Sequence, residues 1–98
     1  MINNAWMAKH EGQDVRLVSI MVVDEKKDIE YAVPLTDNLF ETEAEALEWL
    51  KTEDGKTAAA RARRLRKTDV YTSTATYRIE DGEAIFIAGS DDSEFMSL

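Results

Sequence analysis

"DVRLVSIMVVD", residues 14–24, is apolar at both parities: Val15, Leu17, Met21 and Val23 on one alternation, Val18, Ile20 and Val22 on the other. A strand with one wet face alternates apolar and polar residues, whereas a strand buried on both faces is nearly continuously apolar. The β-branched residues in this stretch favour extended backbone. It therefore predicts a central strand that needs cover on both sides.

Working outward, "EKKD" leads to "IEYAVPLT" (residues 29–36), where Ile29, Tyr31, Val33 and Leu35 alternate with Glu30, Ala32 and Pro34. One face of this strand is buried. Pro34 cannot donate a ladder hydrogen bond, which places the strand at a sheet edge. "LFETEAEALEWLKTEDG" (residues 39–55) follows, with Thr42 and Glu45 spaced as a capping box. Ala46, Leu47 and Leu50 form a helical stripe with Trp49 at its edge, and Gly55 suits a helix C-terminus. Ala and Arg then favour a second helix over residues 57–67. The pair is expected as an αα-hairpin, or as one helix bent at Gly55.

In the last third, "VYTSTATYRI" (residues 70–79) and "EAIFIA" (residues 83–88) flank Asp81-Gly82, a strong hairpin signal. Thr72, Thr74 and Thr76 share one face of the first of these strands, where strand-forming hydroxyl residues usually meet solvent. The expected fold is α+β. It has two layers, with a four-stranded, mainly antiparallel sheet in ββααββ order and a helical hairpin packed on one face. Residues 1–90 form the single domain and residues 91–98 a flexible acidic and apolar tail. Trp6 and Met7, or a second copy of the chain in a homodimer, would cover the other face of the central strand.

Ninety-eight residues, 44% of them hydrophobic, suffice for one modest core without staples. There is no cysteine, so disulfides, thiolate ligands and a Cys nucleophile are excluded together. The longest apolar run, "LVSIMVV" (residues 17–23), is too short to span a bilayer. The first ten residues lack the charged-then-apolar pattern of a secretory signal. A cytoplasmic protein that does not enter membranes is expected.

No catalytic, cofactor or metal motif emerges. "GKT" (residues 55–57) lacks the glycine five positions earlier that a phosphate loop needs, since Leu50 stands there. His10, the only histidine, has no second histidine at zinc-protease spacing, and the acidic clusters lack the ligand alternation of a calcium loop. No two carboxylates are marked as an acid–base pair, and no base is near the hydroxyls of "YTSTATY". The expectation is a non-enzyme with no metal or cofactor.

Charge is the unusual property. The chain carries 12 Lys+Arg against 20 Asp+Glu, a net charge of -8. Yet Lys56, Arg61, Arg63, Arg64, Arg66 and Lys67 all fall in "GKTAAARARRLRK" (residues 55–67), which holds no acid. At 100° per residue, Ala58, Ala62 and Leu65 make a narrow apolar seam and most of the basic residues point away from it. A solvated face explains this, and the glutamates of the preceding helix could pair with it for little gain each. Phosphate contacts also explain it, but the acidic remainder opposes a polyanion and the helix has no Asn or Gln to read bases. Docking on a protein explains both charge signs: the acidic bulk meets a basic partner while Arg61, Arg63, Arg64, Arg66 and Lys67 grip an acidic patch. The tail adds Phe95 and Leu98 behind carboxylates, a composition suited to a basic-rimmed groove. The preferred expectation is a small protein-binding inhibitor or adaptor of bacterial or phage type, acting on a nucleic-acid-handling protein. Nucleic-acid binding through the arginine helix is the alternative.

Overall fold

Residues 14–24 lie in the sheet interior, hydrogen-bonded to a strand on each side. The computed structural model describes residues 2–26, 29–65, 69–92 and 96–97. Its elements are α1 (Asn4–Lys9), β1 (Asp14–Lys26), β2 (Ile29–Pro34), α2 (Glu43–Leu50), α3 (Glu53–Arg64), β3 (Asp69–Glu80), β4 (Glu83–Asp92) and β5 (Met96–Ser97). The four long strands are antiparallel in the order β2-β1-β3-β4, so the fold is α+β and β2, with its Pro34, is an edge. Two elements add to the expected order: α1 before the sheet, and β5, which pairs with Asp69 and Val70 of β3. β4 itself runs on to Asp92.

Register explains why β1 is apolar at both parities. Val18, Ile20 and Val22 lie opposite Thr74, Thr72 and Val70 and pack with Phe40 and Ala46 into one buried cluster. Val33, Leu35, Trp49 and Leu50 pack against it, so α2 covers this face. Leu17 and Ala75, opposite one another on the other face, are also buried, as are Tyr71 and Ile79. At that face's hairpin end, Met7 of α1 lines a hollow with Leu39 and Ala84, and Ala84 is the register partner of Ile79. Trp6 stacks instead on His10, ring centroids 4.0 Å apart, while His10 Nδ1–H donates to the Trp6 carbonyl at 2.8 Å and closes the helix.

Thr72 departs from expectation. It is 2% exposed, and its hydroxyl donates to Glu43 Oε1 at 3.3 Å. Its position opposite Ile20 puts it under the first turn of α2, and the carboxylate there removes the cost of an unpaired buried hydroxyl. Strand alternation alone cannot show which face a helix will cover.

The helix junction also differs in place. Gly55 does not end a helix. It lies in the first turn of α3, which starts four residues earlier than the alanine run suggests. Thr42 Oγ1 accepts from Glu45 N at 3.2 Å at the start of α2. Thr52 Oγ1 accepts from Gly55 N at 3.2 Å at the start of α3 and donates to the Trp49 carbonyl. Each such cap contributes about 1 kcal/mol. Glu53 and Asp54 in the first turn and three arginines in the last complement the helix dipole. Gly55 is buried because α2 and α3 turn back tightly: a Cβ on it would meet the Trp49 carbonyl oxygen and come 2.6 Å from Leu50 Cα.

The hairpin forms where Asp81-Gly82 predicts it. Both residues have positive φ, 52° and 74°, as a type I′ turn requires. Asp81 N donates to Glu11 Oε1 at 2.8 Å, tying the turn to the α1–β1 connection. Asp14 and Arg78 face each other across β1 and β3 and make a paired contact, Nε to Oδ1 at 2.9 Å. That hydrogen bond first, and then the Asp14 charge, hold the Arg78 guanidinium above its ordinary pKa. Further along, the β3–β4 register shifts twice, between Tyr77 and Thr76 and between Thr76 and Ala75. Ile87 and Gly89 are the extra residues, and Gly89 takes the left-handed φ of 66° that a bulge can demand.

Candidate interaction surfaces

α3 presents the basic residues. Thr52 fixes where the helix starts, and this sets the rotation of all that follows. Ala62 is buried and Ala58 half-buried, so the alanine seam faces inward as the wheel predicts. Arg61, Arg63 and Arg64 are exposed. Among the described residues no carboxylate pairs with any of them: Glu48 pairs with Lys51, and Glu43 takes the Thr72 hydroxyl. The pairing of α2 glutamates with α3 arginines that a solvated face allows is therefore not seen among the described residues, none of which pairs with these three guanidinium groups.

A hollow of about 280 Å³ opens beside this helix face. Val22, Pro34 and Leu35 form one wall, Ala58, Ala62 and Leu65 the other, and Arg61 stands with them. Leu65, at the C-terminal cap, is 57% exposed. Arg64 lies one turn from Arg61 and shares its side of the helix. Arg63 is two residues on, about 200° round the axis, and points away from the hollow. The structure thus joins Arg61 to an apolar floor, sets Arg64 one turn on along the same side of the helix, and separates Arg63 from it. Arg66, Lys67, Phe95 and Leu98, the other residues expected at a partner site, lie outside the described residues.

Chemically, this is a place for one or two side chains. It falls below the roughly 300–1,000 Å³ of small-molecule sites. Its floor is apolar and its rim cationic, so an apolar residue next to a carboxylate or phosphate would suit both parts. Sequence alone shows the seam and the arginines. It does not show the wall of Val22, Pro34 and Leu35, because that wall is brought from two strands by pairing distant in the chain.

Two other surfaces were not apparent from the sequence. A shallow groove of about 490 Å³ follows the outer side of α2 between Phe40, Ala44, Trp49 and Thr52, with Glu45 and Glu48 along it. Its rings, Phe40 and Trp49, are tilted 54° at 6.1 Å. The second is the outer edge of β4, where Ile85, Phe86 and Ile87 are 44%, 59% and 41% exposed. A signal existed for it: three consecutive apolar residues in a strand that ends the sheet order must show some of them to water.

Among the described residues, no three His, Asp or Glu side chains gather as a metal site, and every buried polar side-chain atom has a hydrogen-bond partner. Nor is any described helix long and apolar enough to cross a membrane. Compared with protein-family models, curated proteins and solved structures, the chain matches none.

Proposed function

We propose that the chain is a non-enzymatic protein-interaction domain that docks through the C-terminal half of α3. The observation behind this is the meeting of Arg61, with which no carboxylate pairs among the described residues, with the apolar hollow at Leu65. A solvated basic face has no need of an open apolar floor beside it, and a phosphate-gripping helix gains nothing from one. A partner's apolar side chain flanked by carboxylates uses both. Desolvated charge pairs at such a contact add specificity and speed of encounter. All twenty carboxylates lie outside the basic segment, so much of the remaining sequence carries the charge of a polyanion. For that reason a nucleic-acid-handling protein, inhibited or recruited by this domain, is the partner class we place first.

The test compares the chain with a variant in which Arg61, Arg63 and Arg64 are changed to glutamine. Labelled single- and double-stranded oligonucleotides are titrated at low and raised salt, followed by anisotropy, and a nuclease-treated pull-down identifies a protein partner whose affinity is then measured. The expected outcome is no oligonucleotide binding, and a partner that the variant holds at least about tenfold more weakly. Salt-steep oligonucleotide binding that the variant loses would replace this reading with a phosphate-binding helix.

A further inference from the structure

The free edge of β4 lies at the opposite end of the strand order from β2, whose Pro34 lines the α3 hollow. Edge strands offer a row of open backbone N–H and C=O groups and are commonly protected by charge, proline, bulges or a covering segment. β4 has the bulges at Ile87 and Gly89, but residues 83–86 keep regular pairing with β3 and hold no proline. Ile85 and Phe86 alternate across the two faces there, as register partners of Arg78 and Tyr77. Phe86 meets Tyr77 edge-on at 5.9 Å, so two rings lie together on one face. Large apolar side chains on a regular edge that no described element covers are what an added strand would bury.

Charge says what kind of strand. Asp81 and Glu83 are exposed at one end of the apolar triplet, and no cation pairs with their carboxylates among the described residues. At the other end the strand carries Asp91 and Asp92. A second copy pairing antiparallel about Phe86 would set Asp81 of each chain opposite Asp91 of the other, acid against acid, with Glu83 opposite Gly89. Like charges set opposite across strands destabilise the pairing. A strand with basic ends meets complementary charge at both.

We propose that the outer edge of β4 accepts an extended, apolar segment of a partner protein, flanked by lysine or arginine, as an added antiparallel strand. Backbone hydrogen bonds over residues 83–86 supply the pairing, Phe86 with Tyr77 receives side chains on one face and Ile85 on the other, and the acidic flanks select the basic ends. The bulges limit the added strand to a short span. This surface rests on its own observation and does not depend on α3.

The experiment titrates the whole chain with a synthetic peptide of five alternating valine and threonine residues between lysine pairs, read by amide exchange and chemical shift. Binding is expected to slow exchange within residues 83–86 by at least about tenfold, and replacing the peptide's lysines by glutamates should weaken it at least about tenfold. Phe86→Lys should abolish binding. Ile87→Lys, at the bulge and so less bound to the native packing, serves as a second test with its fold checked by the unperturbed spectrum. Arg61 and Arg64 variants should bind the peptide normally, which separates this site from the α3 surface. The proposal is overturned by absent binding, by equal binding of the glutamate-flanked peptide, by binding that survives both lysine variants, or by edge protection that grows with protein concentration alone. The last result would identify a second copy as the occupant.

Discussion

Replacing Ile20 by alanine is expected to destabilise the protein by about 3 kcal/mol, near the middle of the range for large-to-small changes in a core. Ile20 is fully buried in the middle of β1, opposite Thr72, in the cluster with Val18, Val22, Phe40, Ala46 and Val70. Its neighbours come from three directions: β3 beside it, the Phe40 segment on the other edge, and α2 above. Paired backbone holds the first two in place, so the cavity has little freedom to collapse. Domains of this size have roughly 5–15 kcal/mol in total, and the variant should therefore unfold at a markedly lower urea midpoint with unchanged slope. Ile85→Ala, on the open edge, should change stability by no more than about 0.5 kcal/mol. Similar losses at both positions would mean that β1 is not the centre of the sheet.

The second large effect reverses a familiar sign. In an ordinary helix interior, glycine to alanine stabilises by about 1 kcal/mol. At Gly55 the added Cβ would press on the Trp49 carbonyl and lie 2.6 Å from Leu50 Cα, both backbone atoms that cannot swing aside. Gly55→Ala is therefore expected to cost about 1–3 kcal/mol, the usual scale of overpacking. The strain should fall on the Lys51–Thr52 junction and weaken the Thr52 cap, whose acceptor serves Gly55 N. Lys56→Ala, one residue on and exposed, should leave stability within about 0.5 kcal/mol and shows what the helix tolerates. If Gly55→Ala unfolds at the wild-type urea midpoint or above it, the close turn between the two helices does not exist.

These two positions show what sequence pattern carries and what it does not. Ile20 belongs to a stretch apolar at both parities, and that pattern contains its own physical meaning: no wet face, hence neighbours on both. The hairpin is equally legible, because positive φ at two successive residues is cheap for Asp-Gly and costly for most other pairs. Gly55 is ambiguous for a physical reason. Glycine serves both where a helix must end and where two backbones must approach, and the second use depends on where Trp49 and Leu50 lie. Thr72 is hidden for a like reason, since its burial depends on which face α2 covers. At the candidate site, the arginines and the alanine seam are local and can be read. The wall of Val22, Pro34 and Leu35 follows from pairing across the whole chain. The bulges at Ile87 and Gly89 arise from register, which a single strand does not encode.

The pairing of β1 with β3 has a consequence in time. β1 with β2 and β3 with β4 are each close along the chain and can assemble early, as can the two capped helices. The seam between the two hairpins cannot. Arg16 and Thr76, partners across it, are 60 positions apart, and everything between them, both helices included, is the loop that must close. Loop closure costs entropy before the buried seam repays it, so joining the hairpins should limit the rate, giving single-exponential refolding in milliseconds to seconds. Stopped-flow refolding checks this: Leu17→Ala, on the seam, should slow folding, whereas Ala84→Gly, within the local hairpin, should chiefly speed unfolding. Until that seam closes, each half-sheet leaves one edge and much of its apolar surface open, and the interval before closure is when the nascent chain is most exposed to wrong partners.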